Sequence, residues 1–228
     1  MRIAVLGTGV VGRALSGKLA SLGHETWLGT RDVAAALAQT EAARDGSGTF
    51  AEWHGRNSQV QVATFAEAAG NAEVVFNATA GTASLDALNR AGEENLAGKL
   101  LIDVANPLDF SKGMPPSLSV CNTDSLAEQI QEAFPGAKVV KTLNTVSAHI
   151  MVDPGQVAQG EHTMFVAGND GDAKATVTEI LQAGFGWRSV LDLGDLTAAR
   201  GMEMYLPLWL SVMMQGAKTP TFNIAVVT

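Results

Sequence analysis

The stretch that decides the fold is Met1-Arg2-Ile3-Ala4-Val5-Leu6-Gly7-Thr8-Gly9-Val10-Val11-Gly12-Arg13. Its first part, Arg2–Leu6, is a continuous apolar run after one arginine, the pattern of a strand buried on both faces as in parallel sheets. Gly7 ends the run and opens a G-x-G-x-x-G turn. Residues Val10–Leu22 then place Val11, Leu15, Leu19 and Leu22 on one helical stripe, and Gly23 ends it. The glycine pattern alone is a weak signal. Between a buried strand and an amphipathic helix it predicts a dinucleotide-binding turn. Gly7 would allow the tight turn, Gly9 the approach of backbone to a pyrophosphate, and Gly12 the close packing of helix on strand. Thr8, Val10 and Val11 complete the cradle. The phosphates would sit on free N–H groups at the positive end of the helix dipole.

Working outward, the same alternation continues. Strand-like runs recur at Glu25–Leu28, Val60–Val62, Glu73–Asn77, Lys99–Val104, Lys138–Thr142, Thr163–Ala167 and Arg188–Leu191. Helical patterns fall at Val33–Ala43, Phe65–Ala69, Leu85–Ala91, Ser125–Ala133 and Ala173–Ala183. A final apolar helical stretch covers Leu196–Gln215, with a break expected near Pro207. The polar segment Arg44–Ser58 reads as a loop with some helical turns, and Pro107–Pro116 as a loop. Strands alternating with helices predict an α/β fold: a doubly wound parallel Rossmann sheet with a short C-terminal α/β extension. Residues 1–158 would form the nucleotide-binding domain and 159–228 a small cap or extension.

Composition narrows the partners. The chain has 228 residues, 46% hydrophobic and 17% charged, which excludes disorder as its main state. Its 15 basic and 23 acidic residues give a net charge of −8, so neither nucleic acid nor an anionic membrane is an expected partner. The single cysteine, Cys121, excludes a disulfide framework and a cysteine-rich metal site. The chain opens directly on a strand, and no apolar stretch reaches the roughly 20 residues of a membrane span, so a cytoplasmic protein is expected.

The choice of cofactor is written after the second strand. The dinucleotide fingerprint places a carboxylate about 20 residues on, to bind the ribose hydroxyls of NAD. That position here is Gly29, followed by Thr30 and Arg31. A hydroxyl and a guanidinium suit a 2′-phosphate, so the expected cofactor is NADP. Asp32 reads as the N-cap of the next helix.

Ligands of open α/β sheets bind at the carboxyl edge. The loops there carry Ala78-Thr79-Ala80-Gly81, Ala105-Asn106-Pro107 and Leu143-Asn144-Thr145. Ala78, Thr79 and Ala80 are small enough for ribose and nicotinamide to lie against backbone, and Asn106 and Asn144 are candidate hydrogen-bonding partners. Each of these also reads as an ordinary loop closed by small residues or Asn caps. A kink at Pro207 would let Leu206 and Trp209 shape a flat apolar pocket. Catalytic triads, a Walker loop, a G-x-S-x-G elbow and metal-ligand spacings are missing from the sequence, so no catalytic side chain or metal ligand is expected.

Taken together, the residues resemble the coenzyme F420-dependent NADP oxidoreductase family. The likeness rests on Met1–Arg13, on Leu19-Ala20-Ser21-Leu22-Gly23-His24-Glu25, on Gly29-Thr30-Arg31 and on Lys138-Val139-Val140-Lys141-Thr142-Leu143-Asn144-Thr145. Gly168-Asn169-Asp170 and Leu206-Pro207-Leu208 extend it to nearly the full length. The chain departs from the family pattern at Ala78-Thr79-Ala80 and at Asn144, where a histidine can occur. The resemblance implies direct hydride transfer between NADP(H) and a flavin-like acceptor such as coenzyme F420. Both rings would lie in an apolar cleft between the nucleotide domain and the C-terminal part, with Thr30 and Arg31 on the 2′-phosphate. The cofactor would carry the chemistry. The resemblance and the apolar C-terminal stretch are compatible with a homodimer. Two other readings stay open: an NADPH-dependent reductase of another small molecule, and a non-catalytic NADPH-binding or sensing protein. A tyrosine-dependent reductase lacks its Tyr-x-x-x-Lys pair here, since Tyr205 is the one tyrosine.

Overall fold

The computed structural model describes residues 1–43 and 46–227; Arg44 and Asp45, which begin the expected loop 44–58, and Thr228 lie outside the described residues. In chain order the first half comprises β1 (Arg2–Leu6), α1 (Val10–Ser21), β2 (Glu25–Thr30), α2 (Val33–Leu37), α3 (Phe50–Arg56), β3 (Gln61–Thr64), α4 (Phe65–Asn71), β4 (Val74–Asn77), α5 (Ser84–Ala91), α6 (Glu93–Leu96) and β5 (Leu100–Asp103). The second half comprises β6 (Leu108–Asp109), β7 (Ser117–Leu118), α7 (Leu126–Ala133), β8 (Lys138–Thr142), α8 (Ala148–Val152), β9 (Thr163–Gly168), α9 (Gly171–Glu179), β10 (Ser189–Asp192), α10 (Ala199–Met204) and α11 (Leu206–Ser211).

Eight strands form one sheet in the order β10-β9-β8-β5-β4-β1-β2-β3. β1 lies between β2 and β4, parallel to both, so the winding reverses beside it. That reversal opens a crevice at the carboxyl ends of β1 and β4, where doubly wound sheets hold their ligands. Alternate residues of β1 explain why its run is uninterrupted. Ile3 and Val5 enter a core with Leu15 and Leu19 of α1, Ile150 and Met151 of α8 and Val177 of α9. Ala4 and Leu6 enter a second core with Ala68 of α4, Leu88 of α5 and Ile130 of α7.

The sheet is not parallel throughout. β9 runs antiparallel to β8, and β10 parallel to β9. The helix between β8 and β9 is α8, five residues long. Two short 3₁₀ turns, Pro154–Gln156 and Ala158–Gly160, follow it, and the connection folds back so that β9 enters beside β8 from the opposite direction.

One helix is shorter than expected. α2 stops at Leu37 instead of continuing to Ala43, and none of its residues is buried. Alanine propensity without a packed face does not sustain a longer helix. The helical turns expected inside the polar segment are α3. Thr49 and Glu52 make a reciprocal capping box, and Phe50 and Trp53 are buried. The Thr-x-x-Glu spacing was the sequence signal for that helix. Near Pro207 the helical stretch divides at Tyr205 into α10 and α11, with the proline in the first turn of α11. There its missing N–H costs nothing. No helix among the described residues is long and apolar enough to cross a membrane.

After α11 the chain returns over the sheet end as a strap. The Thr163 backbone N–H donates to the Ile224 carbonyl at 3.0 Å. The Ser147 hydroxyl donates to the Pro220 carbonyl at 2.8 Å, and His149 Nε2 pairs with Thr221 Oγ1 at 3.0 Å. Phe222 stacks on Trp209, with ring centroids 5.4 Å apart.

Candidate active site

The three glycines of the first turn meet three different constraints. Gly7 has φ +120°, and a Cβ there would lie 2.6 Å from the Ala78 carbonyl oxygen. A Cβ on Gly12 would stand 1.8 Å from the Gly7 carbonyl oxygen, so only glycine lets α1 press onto the turn. Gly9 is different: a Cβ there would meet no atom within 4 Å. Its backbone faces open space at the start of α1, and no side chain caps that helix. Uncapped N–H groups at the positive end of a helix form an anion site. The turn is braced from behind by Arg13, whose Nε donates to the Thr8 carbonyl at 2.9 Å and whose Nη1 donates to the Gly48 carbonyl at 3.0 Å. Its guanidinium lies 5.4 Å from the centre of the Phe50 ring.

Gly29 lies inside the sheet, where a Cβ would come 2.7 Å from Leu6 Cδ2. The strand ends at Thr30, one residue beyond the fingerprint position. Asp32 caps α2 by accepting from the Ala35 N–H at 2.9 Å, so its carboxylate is committed away from the turn. Arg31 is exposed and has no hydrogen-bond or ion-pair partner among the described residues.

Two cavities meet at one loop. The first, of about 260 Å³, is lined by Gly7, Thr8, Gly9, Thr30, Arg31 and Ala78–Ala80, with Phe65, Ala83, Ala87 and Asp86, whose carboxylate pairs with Arg90 Nε at 2.8 Å. The second, of about 330 Å³, shares Ala78–Ala80 and adds Val11, Asn106, Asn144, Leu206 and Trp209. Of the residues singled out in the sequence, only Val10 and Gly12 line neither cavity. Val10 begins α1, and Gly12 packs on the turn.

The asparagines are interlocked. Asn144 Nδ2 donates to Asn106 Oδ1 at 2.9 Å and to the Met202 carbonyl at 3.0 Å. Asn106 Nδ2 donates back to the Asn144 carbonyl at 2.8 Å. Both N–H bonds of the Asn144 amide are therefore spent, and its Oδ1 is buried without a partner among the described residues. An orphaned acceptor beside a cavity fits a ligand amide. The open cradle at Gly9 fits a pyrophosphate.

Sequence reasoning missed a buried ionic group beneath the second cavity. Lys141 on β8 is fully buried. Its Nζ lies 2.7 Å from Asp103 Oδ2 and 2.8 Å from Glu203 Oε1, and it also donates to the Ala105 carbonyl. Glu203 accepts the Leu126 N–H at 2.8 Å and the Ala127 N–H at 3.2 Å. Asp103 Oδ1 accepts from Asn77 Nδ2 at 2.8 Å and from the Ala105 N–H at 3.2 Å. Asn77 in turn accepts the Thr79 hydroxyl at 2.6 Å. The network thus links the shared loop, the 104–106 turn and α10. Burial pulls the Lys141 ammonium down, but the two carboxylates outweigh it and hold it above its ordinary value. Burial pushes the Glu203 carboxyl up, and the Asp103 charge adds to this against the pull of Lys141. The available sequence signal was three charges inside apolar runs, each needing a partner once buried.

Residues 2–107 match the family model described as NADP oxidoreductase, coenzyme F420-dependent. The chain is 30% identical to an F420-dependent NADP reductase of Methanothermobacter marburgensis, covering 93% of this chain and 92% of that one. It is 29% identical to the metalloreductase STEAP3 of Rattus norvegicus over 91% of this chain, which spans 38% of that protein. A crystal structure from Arthrobacter sp. FB24, provisionally described as an F420-dependent NADP reductase, superposes with a TM-score of 0.96 at 54% identity over 100% of both chains. The chain therefore belongs to the coenzyme F420-dependent NADP oxidoreductase family and is, by that membership, an NADP-dependent oxidoreductase.

Proposed function

We propose that the protein transfers a hydride directly between NADP(H) and a flavin-like acceptor such as coenzyme F420. The observation that carries this reading is the pair of cavities joined at Ala78–Ala80. One offers phosphate-binding groups, and the other is an apolar slot under Leu206 and Trp209. In this reading the N–H groups after Gly9 hold the pyrophosphate, and Thr30 and Arg31 hold the 2′-phosphate. Asn144 orients the nicotinamide amide. The dinucleotide supplies the hydride, and the apolar wall keeps water from it. Tyr205 is not among the residues lining the second cavity, so a tyrosine proton donor gains no support.

The test is direct. NADPH is mixed with the protein and coenzyme F420, then with FMN or FAD, while the nicotinamide absorbance is followed. Turnover with F420 is expected, and turnover with none of the three overturns the reading. Arg31→Ala tests the cofactor half. Losing a charge-assisted bidentate contact should raise KM for NADPH about 10- to 100-fold and leave KM for NADH within about 2-fold. Equal changes for both nucleotides would remove Arg31 from the 2′-phosphate.

A further inference from the structure

The buried group of Lys141, Asp103 and Glu203 has a settled charge state. Lys141 has three N–H bonds, and each has an acceptor: Asp103, Glu203 and the Ala105 carbonyl. Both Glu203 oxygens already accept, Oε2 from Leu126 N–H and Oε1 from Ala127 N–H and Lys141. Both Asp103 oxygens accept as well. A carboxyl proton would have to donate, and every neighbour it faces is itself a donor. One cation and two anions therefore leave a single net negative charge, offset in part by the positive end of α7.

That charge lies directly behind the second cavity. Ala105 lines the cavity, and its N–H and carbonyl are both held by the group. Asn106 and Asn144, also in the lining, connect to Met202, the residue before Glu203. None of the described residues lining the cavity is charged. A ring in the cavity would sense this fixed charge through a dry protein wall, where Coulomb interactions are weakly screened.

We propose that the Lys141–Asp103–Glu203 group discriminates between the two redox forms of the nicotinamide, favouring the cationic ring of NADP⁺ over the neutral ring of NADPH and so lowering the potential of the bound couple. Glu203 acts here as a positioning and charge-setting residue without touching the ligand. The inference rests on the reading that the nicotinamide occupies the second cavity.

The experiment measures the dissociation constants of NADP⁺ and NADPH at one pH and ionic strength, for wild type, Glu203→Gln and Glu203→Asp. NADPH is followed by its fluorescence and NADP⁺ by competition. Glu203→Gln neutralises the group and should raise the ratio Kd(NADP⁺)/Kd(NADPH) about 3- to 10-fold, as expected for one charge acting across a protein wall. Glu203→Asp keeps the charge at the cost of geometry and should hold the ratio within about 2-fold of wild type. A shift in both nucleotides that leaves the ratio unchanged overturns the inference. So does an aspartate variant whose ratio moves as far as that of the glutamine variant, because packing would then be the cause. If Glu203→Gln does not fold, Asp103→Asn removes the same unit of charge from β5 and must move the ratio in the same direction. Failure of wild type to bind either nucleotide is a different result: it overturns the functional reading and this inference with it.

Discussion

Gly12→Ala will lose about 3 kcal/mol or more of folding stability, at the upper end of overpacking effects. The added Cβ would stand 1.8 Å from the Gly7 carbonyl oxygen and 2.8 Å from the Gly7 carbonyl carbon. Neither is a flexible side-chain end. Both belong to the turn, whose N–H at Gly7 is bonded to the Gly29 carbonyl at 2.9 Å. Relief therefore requires α1 to lift from β1, opening the core that holds Leu15 and Leu19. Gly9→Ala is the control. Its Cβ meets nothing within 4 Å, so the thermal midpoint should stay within a few degrees. Yet it places a methyl where the pyrophosphate is proposed to lie, and NADPH affinity should fall about 100-fold, the equivalent of about two charge-assisted hydrogen bonds. Thermal melts and NADPH titration of the two variants check both halves. A Gly12→Ala protein as stable as wild type would mean that the turn is not packed as described.

Lys141→Met should cost about 3–5 kcal/mol, the usual result of removing one partner from a buried ionic group. Methionine fills much of the volume, so the effect is electrostatic. It leaves Asp103 and Glu203, both buried, facing each other without a cation. The Glu203 carboxyl, pushed up by burial, would lose the opposing pull of Lys141 and titrate higher still in the folded chain than in the unfolded one. The folded form binds more protons, so the variant regains stability as pH falls and loses it as pH rises through the raised value. Denaturant melts of both proteins at several pH values should show the deficit against wild type narrowing towards acid. A deficit independent of pH would assign the loss to packing alone.

These two predictions differ in how far the sequence anticipates them. The packing at Gly12 is legible from β1, the turn and α1, because strand, turn and helix are neighbours in the chain and each leaves a periodic trace. The same holds for Thr30, Arg31 and the Asp32 cap. Alanine content over 33–43 overstates α2, because no apolar face exists there to be buried. The polar composition of 44–58 left the place of its helical turns open, although Thr49 and Glu52 mark the start of α3. The reversal of β9 was not legible at all, since strand direction depends on how the connecting segment packs and not on the strand's own residues. Lys141 sits in a run, Lys138-Val139-Val140-Lys141-Thr142, that reads as a strand with polar ends. Nothing local states that its partners wait at the end of β5 and on α10. Arg13 escaped notice for a like reason: the carbonyl of Gly48 and the ring of Phe50 that hold it lie beyond a polar segment.

The strap over Trp209 gives the molecule an order of completion. A ribosome delivers the chain from its amino end, and early segments begin to fold first. The glycine turn, Arg31 and the six parallel strands through β8 are all made before residue 143. Leu206 and Trp209 emerge later, and Phe222, which backs Trp209, later still. A nascent chain would thus acquire the means to grip a dinucleotide well before it could close a slot around an acceptor. On the proposed reading it is for that interval a nucleotide binder without an oxidoreductase's second wall, and a bound dinucleotide would stabilise the half that already exists by mass action.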